Sequence, residues 1–185
     1  MDGYLLRPMT LVNKRSFIGE KGANRGKLLY VVDILKPLVN NDPRNKFFGF
    51  ELKNVNLSRE QWAEIKPEDI GKVIKFTYEA DDYGNAVVSG FRLEEYLLSA
   101  NEEEGGLLLK PMTLMSRRGF IGSVGANKDV PFYVIDVLEP LQESDSFGYS
   151  FRNMYVNREQ WSEIKPEDIG KSLRFVYDGY LMSGK

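Results

Sequence analysis

Two groups of basic and aromatic residues recur along this chain in the same arrangement. Lys14 and Arg15 stand just before Phe17, and Arg117 and Arg118 stand just before Phe120. Lys53 and Lys75 return as Arg152 and Arg174, and Tyr155 adds a further ring near the second group. Side chains of these two kinds, set side by side, are what single-stranded nucleic acid requires. Cations neutralise phosphates and flat rings stack on bases. The plainer alternative is that the cations line water-facing strand positions and that Phe17 and Phe120 pack in a core. Recurrence alone does not choose between the two, because a duplication copies structural residues along with functional ones.

Other chemistries are narrowed by what the chain lacks. It has no His and no Cys, which removes imidazole and thiolate as bases, nucleophiles or metal ligands. Zinc sites of the usual Cys/His kind, Ser-His-Asp triads and Cys-His dyads go with them. Carboxylates remain. Asp33 and Asp136 interrupt the apolar runs Tyr30–Leu35 and Tyr133–Leu138. Each is either a general base or metal ligand, or the partner of a cation on a neighbouring strand, since an unpaired buried carboxylate is costly. The structural reading is the expected one. Glu64, Glu68 and Asp69, with Glu163, Glu167 and Asp168, gather around two helix ends. No spacing of acids calls for catalysis, and no cofactor or metal is expected. The glycine-punctuated loops at Gly19–Gly22 and Gly122–Gly125 lack the Gly-Lys-Ser/Thr ending of a phosphate loop and read as tight turns.

The elements that hold these residues come in two copies. Pro8–Leu38 maps onto Pro111–Leu141, and Ser58–Lys72 returns almost letter for letter as Asn157–Lys171. Ser58 and Asn157 are helix N-caps with Gln61 and Gln160 three residues on, the capping-box spacing. Trp62 and Ile65 share one helix face, as do Trp161 and Ile164. Pro67 and Pro166 end each short helix, and Gly71 and Gly170 lead into the next strand. Around each helix the period-two patterns predict strands near 9–18, 28–35, 47–55, 73–79 and 86–93 in the first copy. On the fourth of these, Ile74, Phe76 and Tyr78 are expected to face inward. In the second copy the last hairpin shortens to Asp178-Gly179.

The order β-β-β-α-β-β is that of the OB-fold, a five-stranded Greek-key barrel. The sequence therefore predicts a mainly β protein with two tandem OB-like barrels, 1–98 and 107–185. Each would be closed by a helix carrying Trp62/Ile65 or Trp161/Ile164. An acidic, glycine-ended linker would join them at 99–106. An SH3-like barrel or a small α+β domain shares the element order. Net charge is −2 and the pI about 5.4, so any basic groove must be local. No apolar run reaches the ~20 residues of a membrane helix. The N-terminus shows no secretory pattern, and a cytoplasmic location is expected.

Two readings of function follow. The first is a non-enzymatic protein that binds single-stranded nucleic acid, DNA in preference, through Lys14, Arg15, Phe17, Lys53, Lys75, Arg117, Arg118, Phe120, Arg152, Tyr155 and Arg174. The second is a protein-interaction module, such as a phage or mobile-element accessory factor or inhibitor docking on a host protein.

Overall fold

The computed structural model describes residues 6–38, 46–94, 109–122, 125–141 and 145–174. The first copy supplies β1 (Leu11–Ile18), β2 (Leu28–Pro37), β3 (Phe48–Leu57), α1 (Arg59–Ala63), β4 (Val73–Ala80) and β5 (Ala86–Glu94). The second supplies β6 (Leu114–Ile121), β7 (Pro131–Pro140), β8 (Phe147–Val156) and α2 (Arg158–Ser162). These elements fall where the periodicity places them. Both helices open with the full reciprocal cap. Ser58 Oγ accepts the Gln61 amide at 3.1 Å, and Asn157 Oδ1 accepts that of Gln160 at 2.7 Å. The Gln side chains accept the cap amides in return. Helices this short need such caps, because most of their backbone donors have no helical partner. Among the described residues no helix is long and apolar enough to cross a membrane.

The assembly of the strands corrects the expected pair of OB-like barrels. Six strands, β1-β2-β3-β6-β7-β8, close one antiparallel barrel shared by both copies, and β4 and β5 form a separate two-stranded sheet. The copies meet at two seams of equivalent register. β1 pairs with β8 at Asn13↔Gly148 and Lys14↔Phe147, and β3 pairs with β6 at Phe48↔Arg117 and Gly49↔Ser116. Gly49 and Gly148 make these seams possible. They have φ of +110° and +104°, in the region that L side chains rarely adopt. A Cβ on Gly148 would stand 2.6 Å from the Cα of Asn13, and one on Gly49 2.6 Å from the Cα of Ser116.

The apolar residues follow this plan. One cluster joins both copies through Val12, Leu35, Met115 and Leu138, with Phe50, Leu52, Tyr149 and Phe151 against it. Two flanking clusters lie under the helices, around Ile34, Val55 and Ile65 in the first copy and around Leu114, Ile135 and Trp161 in the second. Each helix therefore packs on a flank of the shared barrel rather than plugging a barrel of its own. Ile74 is buried and Phe76 half-buried, but Tyr78 is exposed. Tyr78 stays beside Phe76, with ring centroids 6.3 Å apart, but lies in the outer part of the strand, where Thr77, Tyr78, Glu79 and Ala80 are all exposed. The expected linker and the second-copy hairpin at Asp178-Gly179 lie outside the described residues.

Candidate functional site

The cations nearest the seams serve the fold. Lys14 is buried, and its ammonium donates to the Ile65 carbonyl at 2.8 Å. It lies 4.1 Å from the centre of the Trp62 ring and 5.3 Å from that of Phe147. Its twin Arg117 does the same work in the second copy. Arg117 Nη1 donates to the carbonyls of Ile164 and Trp161 at 2.8 and 3.0 Å, and its guanidinium carbon stands 4.0 Å from the centre of the Trp161 ring. Arg117 Nε also donates to the Lys46 carbonyl at 2.9 Å, tying the second helix to the first copy. A cation over an aromatic face, bonded to the carbonyls that end a short helix, is a satisfied structural group. Burial pushes both pKa values below the ordinary ones, with Lys66 adding to the effect at Lys14.

Arg15 and Arg118 are also engaged. Each Nε donates to a buried aspartate at 2.7 Å, Arg15 to Asp33 and Arg118 to Asp136. Each Nη2 reaches an asparagine, Asn54 or Asn153. Asp33 accepts as well from Asn13 at 2.9 Å, and Asp136 from Ser116 Oγ at 2.6 Å. The hydrogen bond to Asp136 holds Arg118 above its usual pKa. The aspartates that interrupt β2 and β7 are thus partners of cations on the adjacent strand. Lys75 pairs with Glu94 at 3.4 Å. Of the cations expected to meet phosphate, Lys14 is buried, Arg15, Arg117 and Arg118 are half-buried and engaged, and Lys75 pairs with Glu94 at the surface. Lys53, Arg152 and Arg174 are exposed, with no partner among the described residues. Near the helix ends, Asp69 and Asp168 accept the Lys66 and Lys165 amides and pair with Lys72 and Lys171. No group of acids among the described residues converges as a metal site.

The aromatic candidates lie differently. Phe17, Phe120 and Tyr155 are 40, 43 and 63% exposed. Phe120 stacks on Phe132 with centroids 5.1 Å apart, and Tyr155 stands edge-on to both. This cluster borders a cleft of about 410 Å³. Phe47, Phe120, Phe132, Tyr133 and Trp161 line it, and Lys46 and Arg158 add their cations. Phe47 stands edge-on to Trp161 at 6.3 Å, and Gly119 lies beside it: a Cβ there would be in ordinary contact with the Phe47 ring at 3.5 Å but only 2.9 Å from the Phe132 carbonyl oxygen. Trp62 and Trp161 are fixed by their indole N–H groups, which donate to the carbonyls of Arg15 and Arg118 at 2.9 Å. Ile65 and Ile164 pack beneath their helices.

Sequence reasoning did not bring Lys46, Phe47, Phe132, Tyr133 and Arg158 together as members of one site. The readable signal lay in the differences between copies. Phe47 and Gly119 stand where the other copy has Ser146 and Ser16, and Phe132 replaces Leu29. Comparison with protein-family models, with curated proteins and with solved structures returns no match.

Proposed function

We propose that this chain is a non-enzymatic protein that binds single-stranded nucleic acid, with the cleft of the second copy as its principal contact. The observation that carries this reading is the meeting of five aromatic rings with Lys46 and Arg158 around one open hollow. Rings accept any base face, and each stacked base contributes about 1–3 kcal/mol. The cations supply the sequence-independent attraction for phosphate. The shared barrel core and the indole hydrogen bonds hold the rings in place before a strand arrives, which reduces the ordering cost of binding.

The test is fluorescence anisotropy with a labelled oligothymidylate of about 20 nucleotides. Each single-strand phosphate met by a cation contributes a log–log salt slope of about −0.7. Two contacts from Lys46 and Arg158 give about −1.4, and Arg158→Gln should flatten the slope by about 0.7. Phe120→Ala should weaken binding about tenfold or more. No binding at low salt, or affinity untouched by both substitutions, would sink the proposal.

A second reading, docking on another protein, is favoured by the exposed aliphatic residues Ile18, Leu28, Ile121 and Val130 at the ends of the β1–β2 and β6–β7 hairpins. Aliphatic side chains do not stack on bases, and grouped exposure of this kind marks interaction surfaces.

A further inference from the structure

The end of the β1–β2 hairpin has a chemistry that its counterpart lacks. Phe17, Ile18 and Leu28 are 40, 55 and 49% exposed there. Phe17, Ile18 and Leu29 border a hollow whose far wall is the loop from Gly19 to Asn24. The same loop carries Lys21, Arg25 and Lys27, all exposed and with no carboxylate partner among the described residues. Glu20 is its one acid. In the second copy the positions of Lys21 and Lys27 hold Val124 and Val130, and Asp129 stands where the first has Gly26. The first tip thus sets three cations and one acid beside its apolar groups, whereas the second has Lys128 alone, next to Asp129.

The loop is also held in shape by its own backbone. The Gly19 amide donates to the Lys27 carbonyl at 2.8 Å, and the Gly26 amide to the Gly19 carbonyl at 2.9 Å. The Arg25 and Lys27 amides close back onto Gly22 and Asn24. A concave apolar floor beside a backbone-braced loop that carries three exposed cations suits a chain that inserts a bulky apolar side chain and presents carboxylates around it. Apolar contact supplies affinity, and the charges set orientation and encounter rate. A lipid surface would meet a convex apolar tip rather than a hollow.

We infer that the β1–β2 tip is a docking site for an acidic protein segment carrying a bulky apolar anchor, separate from the aromatic cleft. The experiment selects a displayed library of random peptides of about 12 residues against the full chain. Enriched peptides are then measured as labelled synthetic peptides. Enrichment of peptides rich in Asp and Glu around Phe, Leu, Ile or Trp is expected. Their affinity should fall about tenfold or more with Ile18→Ser and with Lys21→Glu combined with Lys27→Glu. Phe120→Ala and an excess of oligothymidylate should leave that affinity unchanged, which separates this site from the nucleic-acid reading. All the altered residues are exposed, and unchanged thermal unfolding of each variant confirms that folding is intact. No enrichment, peptides without acids, or affinities indifferent to the tip substitutions would overturn the inference. So would displacement by oligothymidylate. Sedimentation with phosphatidylserine vesicles that depends on Ile18, in place of peptide binding, would overturn it in favour of a lipid.

Discussion

The Lys14 ammonium and the Ile65 carbonyl oxygen meet at 2.8 Å beneath the Trp62 ring. The lysine lies on β1, and the carbonyl follows the last turn of α1. One hydrogen bond therefore ties the end of the helix to the barrel. In the second copy Arg117 closes the same joint with two carbonyls. The joint admits either cation, but it needs a donor.

Replacing Lys14 with Met retains the length of the side chain and removes that donor. The Ile65 carbonyl would be left buried without it, at a cost of about 1–3 kcal/mol. Lys14→Arg should stay within about 1 kcal/mol of the parent, because Arg117 fills the equivalent place. The lowered pKa of Lys14 fixes the sign of a pH effect. Between its folded value and the ordinary 10.5, the unfolded chain binds more protons, so stability from this group rises with pH. Urea unfolding should therefore show the gap between parent and Lys14→Met widening as pH climbs through that alkaline window. A gap that narrows there, or no gap at neutral pH, would show that the contact is incidental.

The seam makes a sharper prediction. Gly148→Ala places a methyl group against the backbone of Val12 and Asn13, and Gly49→Ala does so against Met115 and Ser116. Neither neighbour is a flexible side-chain end that can swing away. Each substitution also forces alanine into a positive-φ conformation. The loss should be about 3 kcal/mol or more per site, seen as a lower urea midpoint or insoluble expression. Gly84→Ala, at a hairpin tip with open space around it, should cost only the conformational strain of about 1–2 kcal/mol. Equal effects at all three positions would mean that close approach at the seams is unimportant.

The element order was readable because it is written locally. Capping pairs such as Ser58/Gln61 and alternation along β3 each act within a few residues. The way the strands close was not, because it depends on contacts between distant segments. Lys14 lies opposite Phe147 across the chain, and no period in the sequence records that pairing. The one available clue was Phe-Gly at 48–49 and again at 147–148. A glycine inside a strand marks a close backbone approach. The cations misled for a related reason. A lysine or arginine near a strand start has the same sequence signature whether it faces solvent or, like Lys14 and Arg117, caps a helix indoors.

Asp168 offers a test in acid. Its carboxylate accepts the Lys165 amide at 2.8 Å and pairs with Lys171 at 3.2 Å. Those bonds, the amide first, hold its pKa below the ordinary 3.8. A carboxylate depressed in the folded state stabilises above the unfolded pKa, and the contribution disappears as pH falls through the folded value. Asp168→Asn should therefore be less stable than the parent at neutral pH, by about 1 kcal/mol given its partial exposure. The two proteins should converge as pH drops below the ordinary carboxylate range. Thermal melts across the acid range check this, and a difference that persists in strong acid would point to packing rather than charge.

The aromatic cleft can be tested by converting one copy into the other. Phe47→Ser and Gly119→Ser install the residues that the first copy carries at the equivalent places. Phe47→Ser removes a ring standing edge-on to Trp161. Gly119→Ser sets a side chain close to the Phe132 carbonyl, 2.9 Å from the new Cβ, and against the Phe47 ring. Neither change removes a charge. If oligonucleotide affinity comes from stacking in a preshaped hollow, each should weaken binding about tenfold while leaving the salt slope unaltered, because that slope follows phosphate contacts alone. Arg158→Gln should do the reverse, flattening the slope with a smaller loss at high salt. Anisotropy titrations at several salt concentrations separate the two behaviours. A double substitution that binds like the parent would move the contact away from the cleft, to the exposed cations Lys53, Arg152 and Arg174.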